Sequence, residues 1–244
     1  MKILQLNIWT GRVKGALLDY LANNSFDVIC LQEAVWADGR DDILEDFFVS
    51  LDQIKEITGL QYESRATNWE LNSFLGRKMY QGIAILSREK IINEKAVEVY
   101  PGVYNAKSAE DLIYHKYMAQ RITLESGVNI FNYHGYWLKN PLGDENTVKA
   151  MKNVVALIKE VRGPVVLCGD FNIIHSSPAM RELDFLHDLT EENGVDNTLS
   201  GLKFAGKVAC DHILVDDNIK VVSFGAEDKI VSDHKGLVAE IELL

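Results

Sequence analysis

The sequence predicts an α/β fold, and three features carry that prediction. Short apolar runs of strand length recur along the 244-residue chain. Between them lie segments whose apolar residues are spaced three and four apart, the period of an amphipathic helix. One apolar run after another also ends in Asn, Glu, His or Asp, and in α/β folds such ends gather at one rim where ligands bind.

Strands are expected over 3–8, 27–31, 82–86, 119–124, 128–133, 165–168, 208–215, 219–224 and 237–241. Val28 to Leu31 and Val165 to Cys168 put apolar groups on both faces, as strands covered on both sides do. Helices are expected over 13–21, with Leu17, Leu18 and Leu21, and over 41–58, with Ile43, Leu44, Phe47, Leu51 and Ile54 before Gly59. A third is expected over 147–162, where Val148, Met151, Val155 and Ile158 precede Gly163-Pro164. Ser177-Pro178 suits a helix start, because a hydroxyl cap and a proline fit the unpaired amides there. That helix should run to about Leu186. Residues 61–80 and 101–116 read as long connections, either binding loops or segments containing a further element.

Length and composition fit one domain over residues 1–244, with 47% apolar residues and 4 prolines. The formal net charge of -11 argues against broad, sequence-independent attraction to nucleic acid, but a few local cations can still receive a phosphate. Cys30, Cys168 and Cys210 lie in apolar runs with no CxxC pair, so buried free thiols are expected. After Met1 and Lys2 the chain enters a strand, and it has no apolar run long enough for a membrane helix. The expectation is a cytoplasmic protein without a transmembrane segment.

The polar strand ends are Asn7, Gln32-Glu33, His134 and Gly169-Asp170-Phe171-Asn172. Asp211 sits within a strand beside His212, and Ser232-Asp233-His234 precedes the last strand. Taken singly, such residues more often cap a turn than catalyse. As a set they describe a wet, anionic cleft that would suit a metal ion. Asp211 has apolar neighbours and needs a partner to stay charged; a histidine, a local salt link or a backbone bond would each serve. Asp170 and Asn172 are two apart and would point the same way in extended backbone. Trp36, Trp69, Tyr136 and Trp137 could stack on a substrate or fill space between layers. Arg65, Arg77, Lys78 and Lys139 could meet further phosphates. Arg121 reads as a rim salt link, and His212 as a local packing or bonding group.

The runs LQLNIW, VICLQE, QGIAILSR, NYHG, VVLCGDFN, CDHILV and SDH, in this order and across nearly the whole chain, resemble the endonuclease/exonuclease/phosphatase superfamily of metal-dependent phosphoesterases. The resemblance implies a four-layer α/β sandwich, with two mixed, mostly antiparallel sheets face to face and helices outside. It implies Glu33 as principal metal ligand, assisted by Asn7 and Asp233, with Mg²⁺ or Mn²⁺ as the ion. Asp170 would orient or deprotonate the attacking water, and Asn172 would steady phosphoryl oxygens. His234 would pair with Asp211 and contact phosphate or shuttle a proton, while His134 would be a second phosphate contact and a candidate general acid. Hard oxygen donors suit such cations. The substrate implied is a phosphate ester, with a DNA or RNA phosphodiester first and a small molecule or phospholipid headgroup second. A noncatalytic binding scaffold on the same fold is a third reading. Gly135 departs from the apolar residue that many relatives carry after the histidine. A tyrosine used by some DNA repair members could correspond to Tyr114 or Tyr117.

Overall fold

The computed structural model describes residues 1–39, 44–102, 105–106, 115–203 and 206–244. In chain order the elements are β1 (Lys2–Asn7), α1 (Lys14–Ala22), β2 (Val28–Ala37), α2 (Leu51–Thr58), β3 (Tyr62–Phe74), β4 (Arg77–Ser87), β5 (Ile91–Tyr100) and β6 (Asn105–Ala106). There follow β7 (Tyr117–Leu124), β8 (Asn129–His134), α3 (Glu145–Ile158), β9 (Val165–Asp170), β10 (His187–Asp188), α4 (Leu189–Glu192), β11 (Asp211–Val215), β12 (Ile219–Ala226) and β13 (Leu237–Leu243).

The strands form two sheets. One runs β12-β13-β1-β2-β4-β3-β6 and the other β10-β11-β9-β8-β7-β5. Among the described residues, three neighbouring pairs are parallel, β1 with β2, β3 with β6 and β8 with β9, and the others are antiparallel. Strand alternation sorts side chains into layers. Leu4, Leu6, Ile29 and Leu31 pack outward under α1 and α2 with Leu17, Tyr20, Leu51 and Ile54. Phe131, Tyr133 and Leu167 pack outward against Ala150, Met151, Val154 and Leu157 of α3. Ile3, Val28, Cys30, Ile130, Val166, Cys168 and Ile213 fill the space between the sheets. Helix, sheet, sheet, helix is the four-layer sandwich that the resemblance implied.

Toward one edge of the sandwich the inward-facing positions turn from apolar to polar. Ile3 is followed two residues on by Gln5 and then Asn7; Val28 and Cys30 lead to Gln32; Ile130 leads to Asn132 and His134; Val166 and Cys168 lead to Asp170. On β11, which runs antiparallel to β9, the order reverses and Asp211 precedes Ile213 and Val215. The period of two therefore delivers the polar groups of five strands into one inter-sheet mouth.

Some sequence expectations need correction. Of the two readings of residues 61–80, the further element is the one found: β3 and the start of β4 form a long hairpin there. β5 was not expected; its burial pattern is mostly exposed, as suits an edge strand with little apolar signal. α2 begins only at Leu51, where Ser50 and Gln53 form a reciprocal capping box that fixes the start; Gly59, at φ 66°, ends it. Residues 41–43 of the longer expected helix lie outside the described residues, as does most of 101–116. α3 starts earlier than expected, because Asp144 accepts from Asn146 N and Thr147 N. After Ser177-Pro178 there is a short 3₁₀ turn at Met180–Leu183 instead of a helix. The strand expected over 208–215 is confined to β11. No helix among the described residues is long and apolar enough to cross a membrane. The three cysteines are buried and free.

Candidate active site

His134, Asp170 and Asp211 stand side by side on β8, β9 and β11, in register His134↔Asp170 and Asp211↔Asp170. Adjacent carboxylates at directly opposed positions repel each other. His234, on the segment before β13, answers that repulsion. Its Nδ1 lies 2.8 Å from Asp211 Oδ2 and its Nε2 3.7 Å from Asp170 Oδ2. His234 is anchored from outside the sheets: Leu199 forms a bridge with it, Ser200 N donates to Asp233 O, and Lys235 N donates to Thr198 O.

Asp211 is wholly buried and is met by donors from three directions. His234 is one. Gln5 Nε2 donates to its Oδ1 at 3.1 Å, and Cys210 Sγ lies 3.7 Å from Oδ2. Gln5 also begins a ladder of amides between the sheets. Its Nε2 donates to Gln32 Oε1 at 2.8 Å, Gln32 Nε2 donates to Asn132 Oδ1 at 2.6 Å, and Asn132 Nδ2 donates to the carbonyls of Leu31 and Ala84. The sequence pattern picked out Gln32 but not Gln5 or Asn132, although their position two residues before Asn7 and His134 was a usable signal. The partner of Asp211 is His234; the neighbouring His212 points to the other face of β11, where it meets Asp188 and Ile173 O.

On the opposite sheet, Asn7 Nδ2 donates to Glu33 Oε1 at 3.2 Å and to Asp170 Oδ2 at 3.0 Å, joining the two halves of the mouth. Trp9 N in turn donates to Asn7 Oδ1. Glu33 sits at a bulge in the pairing of β2 with β4, with φ 53°. A left-handed glutamate is strained and persists only where its surroundings hold it. Asp233 accepts from Ser232 Oγ at 3.1 Å and lies 3.6 Å from Lys203 Nζ, whose ammonium also lies over the Trp9 ring.

The electrostatics differ from group to group. Burial raises the Glu33 carboxyl; Asn7 opposes the shift and Asp233 adds to it. Burial pushes Asp170 up to about 7, with His234 pulling down and Asp211 pushing up. Burial alone would lower His234, but Asp211 and Asp170 hold it well above the ordinary histidine range. His134 falls well below that range through burial, with His115 and His234 adding to the effect. One histidine beside Asp170 is thus a cation and the other neutral. Asn68 Nδ2 lies 3.5 Å from His134 Nδ1, and Tyr117 packs edge-on against the His134 ring.

Asn172 departs from the expected extended alternation. The strand ends at Asp170, and Asn172 adopts φ 55°. Its N–H donates to Asp170 Oδ1 and its Nδ2 to Gly135 O at 2.8 Å. This close crossing explains Gly135: a Cβ there would lie 2.0 Å from the Phe171 carbonyl oxygen. Of the aromatic and basic side chains that could meet a substrate, several are engaged elsewhere. Trp36 is buried and stacked with Tyr80, Trp69 is buried in a cluster with Val35 and Met79, and Tyr136 stacks on Tyr100 at 4.0 Å. Trp137 is 52% exposed. Arg65 pairs with Glu63 and Asp52, and Lys78 with Glu70. Arg121 is the expected rim link, to Glu160 and Asn93. Tyr114 lies outside the described residues.

Among the described residues, Asp170, Cys210, Asp211 and His234 are a donor group compact enough to hold a metal ion, with ligand atoms all within 4.8 Å of one another. The profile of the Endonuclease/Exonuclease/phosphatase family matches residues 4–234.

The chain belongs to the endonuclease/exonuclease/phosphatase family.

It is a divalent-metal-dependent phosphoesterase. The fold is similar to that of an endonuclease/exonuclease/phosphatase from Beutenbergia cavernae, with 17% identity, a TM-score of 0.73, and 100% of this chain and 71% of that one covered. The Bacteroides thetaiotaomicron mannosyl-6-phosphatase is also similar, at 16% identity and a TM-score of 0.70, with both chains covered 100%. The human Nocturnin catalytic domain, solved with bound sulfate, matches at 16% identity and a TM-score of 0.67, with 100% of this chain and 94% of that one covered. No curated protein sequence matches the chain at a significant level.

Proposed function

We propose that this endonuclease/exonuclease/phosphatase protein hydrolyses a compact phosphoester carrying one reactive phosphate, with Mg²⁺ as its preferred ion and Mn²⁺ as a substitute. The observation that carries the compact substrate is the state of the cations. Of the four cations named for further phosphates, Arg65 and Lys78 are engaged by Glu63, Asp52 and Glu70, in a chain of net charge -11. The name of the mannosyl-6-phosphatase among the structural relatives agrees with a small phosphorylated substrate.

Asn7, Glu33 and Asp233 would hold the cation, and not the group of Asp170, Cys210, Asp211 and His234, where both ring nitrogens of His234 already face carboxylates. The chemistry of the first three fits it: Glu33 is raised by burial and by Asp233 beside it, an excess of hard anionic oxygen that a divalent ion relieves. When bound, such an ion screens the charge that develops on phosphoryl oxygens. Asp170 accepts the proton of the attacking water, a task suited to a carboxyl whose basicity burial has raised. His234, held protonated by Asp211, gives a charge-assisted bond to the phosphate. His134 is a neutral second contact on the other side of Asp170. Asn172 fixes Asp170 through its own amide and turns its side chain to Gly135.

A nucleic-acid phosphodiester is the second reading, favoured by exposed Trp137 just beyond His134, a surface on which a base could stack. The deciding experiment is a hydrolysis panel of sugar phosphates, nucleotides, a phospholipid headgroup ester, single-stranded DNA and RNA, run with Mg²⁺, with Mn²⁺ and with chelator. The compact-substrate reading expects metal-dependent turnover of a small ester and little of either polymer. Preferential cleavage of DNA or RNA would overturn it.

A further inference from the structure

His212 lies outside the machinery just described, on the face of β11 turned away from it. It is wholly buried, yet both ring nitrogens are engaged: Nδ1 with Asp188 Oδ2 at 3.0 Å and Nε2 with the Ile173 carbonyl at 3.1 Å. A carbonyl can only accept, and a buried carboxylate that also receives Thr190 N and faces His175 Nδ1 is itself an acceptor. Each ring nitrogen of His212 therefore donates.

The carbonyl it grips belongs to the short strap 170–174 that carries Asp170 and Asn172. Asn172 is left-handed there, a conformation that needs its neighbours to hold it. Most of the strap's other ties are local or come from the active-site side: Phe171 N donates to Cys210 O, Ile174 N to Pro141 O, and Asn172 Nδ2 to Gly135 O. His212 adds a fastening from behind, and the Phe171 ring packs against its ring at 5.0 Å.

We propose that His212 is a positioning residue for the phosphoesterase reaction: by donating to Asp188 and to Ile173 O together, it clamps the strap and so fixes Asp170 and Asn172. The catalytic part of this inference rests on the reading of Asp170 given above, whereas the clamp itself does not.

The test uses the full chain with His212→Phe, which keeps a ring but no donor, and Asp188→Asn, which keeps an acceptor for Nδ1 but removes the charge. His175→Ala is the control, since the His175 ring shares Asp188 with His212 but does not bond the Ile173 carbonyl. Amide hydrogen exchange is followed at Phe171, Asn172 and Ile174 and, for comparison, in α3 and β12–β13. Turnover of bis(4-nitrophenyl) phosphate with Mg²⁺ is measured well below each variant's melting temperature. The clamp expects strap exchange to rise about tenfold or more in His212→Phe, and less in Asp188→Asn, with α3 and β12–β13 unchanged and His175→Ala like the parent. It expects kcat to fall about tenfold or more with KM within about twofold, the signature of a misplaced reacting group. Unchanged strap exchange, or a rise spread evenly over the chain, overturns the clamp; should His212→Phe fail to fold, Asp188→Asn is read by the same criterion. Local strap loosening with no loss of kcat overturns the positioning role. If the parent hydrolyses nothing in any panel, the proposed function fails, while the exchange data still decide the clamp.

Discussion

Asp170 and Asp211 face each other directly across β9 and β11, yet only Asp211 has a histidine within hydrogen-bonding distance, His234 at 2.8 Å. The same ring reaches toward Asp170 at 3.7 Å. One carboxylate thus serves to charge the imidazole, and the other is left with raised basicity for the water. Asp211→Asn keeps the size but removes the charge that holds His234 protonated. We expect kcat to fall by roughly 10²–10⁴-fold, the range of general acid–base contributions, with the circular dichroism spectrum unchanged. A loss smaller than about tenfold would argue against the dyad.

Glu33 is the test of the metal site. Glu33→Gln keeps the side-chain length at the left-handed position and removes one of the anionic ligands proposed for the ion. Mg²⁺ affinity by calorimetry should fall by at least the ~10–100-fold typical for losing a partner of a metal ligand. Affinity equal to that of the parent would move the ion away from Glu33.

The pH dependence follows from Asp170 and His234. A base works deprotonated, so a carboxyl raised to about 7 delays activity to higher pH, and a bound cation can only bring that limb lower. His234 works protonated, and since Asp211 and Asp170 hold it well above the ordinary range, its loss appears only on the alkaline side. kcat/KM should therefore climb from acid toward neutral pH and decline only in alkali, in a profile taken from about pH 5 to about pH 10. A maximum at the acid end would contradict these assignments.

Gln5 offers a stability test. Gln5→Leu removes a donor from wholly buried Asp211 and a rung from the amide ladder. Leaving a buried acceptor without its partner costs about 1–3 kcal/mol, which urea denaturation would read directly. A variant as stable as the parent would show that the remaining donors of Asp211 suffice.

Gly135→Ala probes the crossing of the two catalytic segments. With a Cβ 2.0 Å from the Phe171 carbonyl, backbone must shift, at a cost of about 1–3 kcal/mol, and Asn172 must shift with it. Lower melting temperature together with lower kcat is expected; a neutral substitution would mean that the crossing can relax.

Much of this was readable before any fold was known. Asn7, Glu33, His134, Asp170, Asp211, Asp233 and His234 all come to one mouth, because each ends or interrupts an apolar run and the strands bring their ends together. The edge strand β5 was hidden because its sequence is mostly exposed, and β3 with the start of β4 because buried positions there carry polar residues such as Ser64, Asn68, Glu70 and Gln81. The four aromatic candidates also separated, with Trp36, Trp69 and Tyr136 packed against other rings or apolar side chains and Trp137 left exposed.

By itself the sequence determined the chemistry of the site, because residue type and the two-residue strand period decide which groups face the inter-sheet space and where that face turns polar. Only the tertiary structure decided the pairings. His212 adjoins Asp211 in the chain but points to the opposite face of β11, whereas His234, 23 residues away, reaches it. The left-handed turns of Glu33 and Asn172 were likewise beyond any pattern, because they are strained locally and exist only through the contacts that hold them.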